Sequence, residues 1–191
     1  FVAPGTYSVR LTVDGTVYAE PIGVRLDPRV QISDADLKLQ TVQSLTCYEG
    51  MIEAHKIRET IALFHDQAGN RARENLPAGI GTRLKLLQDM VNRIGGTGVP
   101  ANPDIVYSSV SAAPAGEETL AGIQSKLLYL MPVMQGADAR PTTQMIDGVA
   151  GLGDELSRLK NAWSDLLAGP LADLNSDLVR SGRRPIAASP P

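Results

Sequence analysis

Apolar residues recur at steps of three and four in four separate stretches beyond residue 33, and this periodicity limits the fold more than any other feature. Such spacing places apolar side chains on one face of an α-helix. The pattern therefore predicts four amphipathic helices that bury their apolar faces against one another. The clearest stretch comprises Met145, Val149, Leu152, Leu156, Leu159, Trp163 and Leu166.

The ends of these helices are marked by capping residues and by Gly and Pro. Ser33 is a candidate N-cap for the first helix, and Gly95-Gly96 ends the second. Residues 95–115, rich in Gly, Pro, Ser and Ala, predict a loop of unusual length. Gly169-Pro170 predicts the end of the fourth helix, before a short fifth one. The stripe predicted for the first helix is Leu45, Tyr48, Met51, Ala54, Ile57, Ile61, Phe64 and Ala68.

Residues 1–30 follow a different pattern, in which apolar and polar side chains alternate as in a half-buried strand. The alternation over residues 7–13 leads into Asp14-Gly15, a dipeptide that tolerates the positive φ angles of a tight hairpin turn. A second strand continues towards Leu26, weakened in its middle by Pro21 and Gly23. The segment therefore predicts a β-hairpin over about residues 6–26.

Two strands do not bury an apolar face by themselves. The hairpin either leans on the helices or is the end of a β-sandwich whose other strands are absent from these 191 residues. We predict a mainly α fold, an antiparallel four-helix bundle with an N-terminal β-hairpin. Its segments are the hairpin over 1–30, the bundle over 31–181 and a Pro-rich tail over 182–191 that is too polar to pack by itself.

Composition excludes several classes of protein. The 18 Lys and Arg against 21 Asp and Glu give a net charge of −3, which argues against a general nucleic-acid binder. No apolar run reaches the roughly 18 residues of a membrane span. The single cysteine, Cys47, excludes an internal disulfide.

Candidate chemistry is sparse. His55 and His65 lie ten residues apart on one helix, about 15 Å along its axis, so they do not share a metal ion. Cys47 has no histidine three or four residues away to act as a base, and we interpret it as a small buried apolar residue. The sequence thus predicts no catalytic residue, no cofactor and no metal site, and a protein that is not an enzyme.

Three glycines and two aromatic residues have structural interpretations. Gly148, Gly151 and Gly153 follow no strand, so we expect them to let a neighbouring helix approach closely rather than to bind phosphate. Trp163 and Tyr129 fall at or near the apolar seam, where core packing explains them.

The order of segments resembles the C-terminal region of bacterial sortilin-like BNR-repeat proteins, described as glycosyl hydrolases. The stretches that carry the resemblance are APGTYSVRLTVDGTVYAEPIGVRLDPRV, YEGMIEAHKIRETI, LLYLMPVMQGADARPTTQM and LADLNSDLVRSGRRPI. In that family a β-propeller precedes an Ig-like sandwich and a helical end. The resemblance implies that the hairpin is the remnant of an Ig-like sandwich and that the chain is periplasmic or extracellular. It carries no catalytic position.

We expect a non-catalytic structural or interaction module, an extrinsic scaffold subunit of a larger exported or membrane-associated bacterial complex. Photosynthetic and respiratory complexes are examples of such assemblies. The alternative is an accessory C-terminal fragment of a sortilin-like glycosyl hydrolase, without activity of its own. Protein partners are expected at the β edge, the loop 95–115 or the C-terminal tail, with no nucleic acid and no membrane span.

Overall fold

The fold is mainly α, with an N-terminal antiparallel hairpin, as the sequence predicts. The computed structural model describes residues 2–96 and 118–188. Four long helices surround one apolar core. In chain order the elements are β1 (Gly5–Val13), β2 (Thr16–Val24), α1 (Asp34–Ala72), α2 (Ala78–Gly95), α3 (Leu120–Met134), α4 (Thr143–Leu166) and, after a π-helical segment over Leu167–Leu171, α5 (Ala172–Arg180).

Helix α1 is the longest element, with 39 residues, and it begins where the sequence predicts. The hydroxyl of Ser33 accepts a hydrogen bond from the backbone N–H of Asp36 at 3.1 Å, which caps the first turn. At about 1.5 Å per residue, α1 is about 58 Å long. It is therefore long enough to contact α2, α3 and α4 at different heights.

Helices α2 and α3 contact successive parts of α1. In the first part, Gln40 donates a hydrogen bond to the carbonyl oxygen of Met134, near the end of α3. In the last part, Gly95 at the end of α2 lies against Ile61. Both helices run antiparallel to α1: the end of α3 lies at the start of α1, and α2, which follows α1 after a short loop, ends beside a residue well before the end of α1. Gly96 lies beside Thr119, so the end of α2 also meets the start of α3.

Helix α4 runs in the same direction as α1 and packs against it and α3. Glu53 of α1 pairs with Lys160 of α4. The three helices approach one another closely at Gly50, where an added Cβ would lie 2.8 Å from Leu127 and 3.6 Å from Leu156. A side chain at position 50 would therefore force the buried Leu127 side chain to move.

The Gly169-Pro170 pair does not end the helical run, which corrects the sequence prediction. The backbone widens into a π-helical segment over Leu167–Leu171 and continues directly into α5. Proline has no N–H and clashes with the carbonyl four residues earlier in an α-helix, and a wider turn accommodates both defects. The short fifth helix is confirmed, with Leu174 and Leu178 buried.

The first residues of the C-terminal tail pack on the bundle, so the prediction that the tail is too polar to pack is wrong for residues 183–188. Ile186 is only 2% exposed and belongs to the core. Its backbone N–H and C=O both bond to the side-chain amide of Asn175, at 2.7 and 2.9 Å. Gln67 holds Ala187 in the same way. One apolar side chain and two amide clamps therefore fix the tail.

The hairpin turns at Asp14-Gly15, as the sequence predicts. Asp14 and Gly15 have φ angles of 48° and 81°, as a two-residue hairpin turn requires, and they join Val13 to Thr16. The strands pair from there to Gly5 and Val24. Most of the predicted loop 95–115 lies outside the described residues, and Gly95 itself is the last residue of α2.

We expect Gly96→Ala to destabilise the protein by about 2 kcal/mol, because φ at this residue is positive and a Cβ would lie 2.6 Å from the Thr119 hydroxyl. Gly151→Ala is the control, since Gly151 lies in α4 with open space around it and should gain about 1 kcal/mol. Urea unfolding measures both changes. Equal stability of the two variants would contradict the assigned contact.

We expect Ile186→Ala to lower the free energy of unfolding by about 3 kcal/mol, because the truncation leaves a cavity in the core. Ala187→Ser changes an exposed side chain beside it and should stay within about 0.5 kcal/mol of the parent. Thermal or urea unfolding of both variants is the measurement. A neutral Ile186→Ala would show that the tail does not pack on the bundle.

Candidate interaction surface

The hairpin has one strongly apolar face that the helices do not cover. Residues that pair across the two strands share a face, since side chains alternate along each strand. The side chains of this face, which we call the apolar face, are Tyr7, Val9, Leu11, Val13, Thr16, Tyr18, Glu20, Ile22 and Val24. Leu11 is 60% exposed and Tyr18 58% exposed, and only Val24 is partly buried. The apolar face therefore lacks a covering layer within the described residues.

The opposite side of the hairpin, which we call the polar face, has a different character. Its side chains are Thr6, Ser8, Arg10, Thr12, Val17, Ala19, Pro21 and Gly23. Arg10 is the only charged residue among them. The two faces thus show the asymmetry of a sheet with one side turned to an apolar layer and one side turned to water.

A cleft of about 590 Å³ lies at the foot of the hairpin, between the strands, α1 and the end of α3. Tyr7 and Val24 of the apolar face reach into it, and Leu45 and Tyr48 of α1 line it. The apolar face and the cleft therefore form one continuous surface. Its volume is within the range of ligand pockets, and its walls come from both parts of the molecule.

This arrangement corrects the stripe predicted for α1. Leu45 is 53% exposed and Tyr48 43% exposed, whereas Ser44 and Cys47 are buried one residue earlier. The apolar stripe of α1 thus turns away from the core in this stretch. The sequence contains a pattern for this surface, since Val42, Leu45 and Tyr48 follow one another at steps of three. All three side chains are exposed. The pattern indicates a second apolar surface rather than a continuation of the core stripe.

Two polar side chains of α1 lie between the cleft and the core. The amide of Gln40 donates to the carbonyl oxygens of Met134 and Ala137, at 2.6 Å each, and so ties α1 to the end of α3. The hydroxyl of Ser44 is buried and makes no hydrogen bond within the described residues. Three charged residues also line the cleft, namely Arg25, Asp27 and Asp138.

The histidines occupy separate places on α1. The Nε2 atom of His55 lies 3.5 Å from a carboxylate oxygen of Glu59, one turn further on. His65 contacts the ring of Phe64 edge-on, and burial lowers the pKa of its imidazole. Among residues 2–96 and 118–188, no three His, Cys, Asp or Glu side chains come together as metal ligands.

Cys47 is fully buried, as the sequence indicates. Burial raises the pKa of its thiol to about 11, so almost no thiolate forms at neutral pH. No hydrogen-bond partner is found for it among the described residues. The residue therefore packs against its neighbours as an apolar side chain.

The glycine and aromatic interpretations are only partly confirmed. Gly151 and Gly153 face open space, and the close helix approach that we expected there occurs at Gly50. Trp163 is buried in the core, but Tyr129 is 53% exposed, so its assignment to the core is wrong. On a helix, one residue of displacement turns a side chain by about 100°, which is enough to move Tyr129 outside the seam.

Comparisons with protein-family models, with curated proteins and with solved structures find no match. The resemblance to sortilin-like proteins therefore stays a prediction. In the part of the chain that the structure describes, none of the helices has the length and apolarity needed to cross a bilayer.

We expect Cys47 in the folded protein to react with iodoacetamide at pH 8 about 100-fold more slowly than in denaturant, because its thiol is buried and its pKa is raised. Mass spectrometry of the alkylated chain over time measures both rates. Equal rates would show that Cys47 is accessible and has an ordinary pKa.

Proposed function

We propose that this chain is a non-catalytic interaction module, an extrinsic scaffold subunit of a larger exported or membrane-associated bacterial assembly. The observation that carries the proposal is the uncovered apolar face of the hairpin, which continues into the cleft beside α1. The partner covers this face and supplies the apolar layer that the hairpin lacks. The loop 95–115 and the last residues of the tail stay further predicted contacts.

The energetics support a partner at this place. A two-stranded hairpin is marginally stable in water, and it becomes stable when further strands pair with it or when another layer packs on its apolar face. Each apolar side chain that a partner covers contributes about 25 cal/mol per Å² of buried area. The helices have their own continuous core and need no such help. The hairpin is thus the part of the molecule that gains most from binding.

The second candidate function is an accessory C-terminal domain of a sortilin-like BNR-repeat glycosyl hydrolase. The same exposed face favours it, because β1 and β2 would then be two strands of an Ig-like sandwich whose facing sheet covers Leu11 and Tyr18. In that case the layer is part of the same polypeptide. A periplasmic or extracellular location belongs to both candidates and depends on the resemblance.

We expect the tagged chain, expressed in its native cells, to elute with a large complex in size-exclusion chromatography. Leu11→Ser should shift it to the position of a monomer, since the substitution makes the apolar face polar. Val17→Ser changes a similar side chain on the polar face and is the matched control, which should leave elution unchanged. Circular dichroism checks that the helices are intact in both variants.

Mass spectrometry of the native protein distinguishes the two candidates. Recovery of the chain with separate partner polypeptides supports the subunit. Recovery only within one long polypeptide that also contains a propeller supports the accessory domain. Elution of the parent chain alone, as a monomer, would contradict the proposed function.

A further inference from the structure

We propose that the partner, besides covering the apolar face, adds an extended strand to the outer edge of β1, with an acidic side chain beside Arg10. This inference rests on the proposed function and specifies the edge, the backbone groups and the charge of its contact. It follows from the register of the hairpin, from one proline and from one arginine that makes no ion pair with the residues that the structure describes.

The turn determines which backbone groups point outward. In a two-residue hairpin turn, the carbonyl of Val13 accepts from the N–H of Thr16, so this pair points its backbone groups inward. Inward and outward pairs then alternate along the hairpin. The outward pairs are Thr12 with Val17, Arg10 with Ala19, Ser8 with Pro21, and Thr6 with Gly23.

The two edges of the hairpin differ in the donors that they offer. On β1 all four outward residues carry an N–H group, and every residue of the strand is exposed. On β2 the outward position 21 is a proline, which has no N–H and interrupts a ladder there. Proline on an edge strand is a common device against pairing at that edge. β1 is therefore the edge that can form a complete ladder with a further strand.

Arg10 specifies the chemistry of the added strand. Its cross-strand neighbour is Ala19, and within the described residues it makes no ion pair. A carboxylate beside it on a third strand would form a favourable cross-strand pair. On the other side of the added strand, apolar residues would extend the row of Val9 and Leu11. The occupant is thus a strand with alternating apolar and polar residues and a Glu or Asp in the polar row.

A second copy of this chain fits the edge less well. Antiparallel pairing of two β1 strands at full overlap sets Ser8 opposite Arg10. The two Arg10 side chains then lie on the same face, two residues apart, where like charges repel. Charge thus favours an acidic strand of a different protein over self-association.

The probe is a nine-residue peptide of alternating valine and threonine with glutamate in place of the central threonine. We expect it to slow amide hydrogen exchange at Ser8, Arg10 and Thr12 at least tenfold, measured by NMR. Exchange at Val17 and Ala19, on the other edge, should not change. A peptide with lysine in place of the glutamate should bind about fivefold more weakly, because it repels Arg10.

Two pairs of variants test the edge and the charge separately. Ser8→Pro removes an outward donor from β1 and should abolish binding of the glutamate peptide. Ala19→Pro makes the same change on the β2 edge and should leave binding unchanged. Arg10→Glu should reverse the preference in favour of the lysine peptide. Glu20→Lys changes a charge on the apolar face and should not reverse it. Far-ultraviolet circular dichroism and an NMR spectrum of the helices confirm the fold of each variant.

Any of four results would overturn the inference: protection of the β2 amides, equal binding of the two peptides, no peptide binding, or self-association of the chain through β1. The native complex separates this result from the proposed function. If Ser8→Pro leaves the chain in the complex while Leu11→Ser removes it, the edge assignment is wrong and the scaffold function stands. If the parent chain is a monomer in its native cells, the scaffold function itself fails.

Discussion

Burial of one face of α1 is the constraint on which the rest of the helical fold depends. This helix contacts α2, α3 and α4, so a change in its apolar stripe alters several interfaces. The small side chains of the stripe set the spacing, since Gly50 and Ala54 leave room for the neighbouring helices. A buried hydrogen bond accompanies the packing, in which the guanidinium of Arg58 donates to the side-chain carbonyl oxygen of Gln124 of α3 at 2.7 Å. Burial lowers the pKa of Arg58. A buried charge with a defined acceptor fixes the height of α3 along α1, because sliding by one turn would break the bond.

The hairpin is stabilised by different contacts from those of the helical bundle. Its strands pack on each other and make few contacts with the helices. The apolar side chains of the hairpin are therefore exposed, whereas those of the helices form a continuous buried core. Isolated exposed apolar residues are ordinary, but a whole row along two paired strands, continuous with an apolar cleft, is typical of a surface that another layer covers. That contrast, rather than any single residue, supports assigning the contact function to the N-terminal part.

Local sequence patterns predicted the hairpin and all five α-helices of the described residues, because each depends on local rules: a stripe at steps of three and four, an Asp-Gly turn, a serine cap. What these patterns missed depends on contacts between distant residues. The tail packs because the side chains of Asn175 and Gln67 form hydrogen bonds with its backbone. The sequence of residues 183–188 contains no pattern that predicts these two partners. Gly169-Pro170 signals a helix end in isolation, yet the buried leucines on both sides hold the run together through a π-helical segment. Leu45 and Tyr48 have helical spacing but lie outside the core face of α1. Periodicity identifies an apolar face of a helix and does not show whether that face contacts the core.

The weak coupling between hairpin and bundle has a consequence for how binding and stability are linked. A partner that binds only the folded state stabilises the cooperative unit that it contacts. If the hairpin opens independently of the helices, strand addition at β1 raises the free energy of opening the hairpin and leaves global unfolding of the bundle unchanged. The cleft changes this relation, because its walls include Tyr7 from the hairpin and Leu45 from α1. A partner that fills the cleft as well as the edge contacts both units, so it links their stabilities. Under the proposed function, a partner that uses both surfaces would therefore stabilise the hairpin and the bundle together, whereas strand addition alone would stabilise only the hairpin.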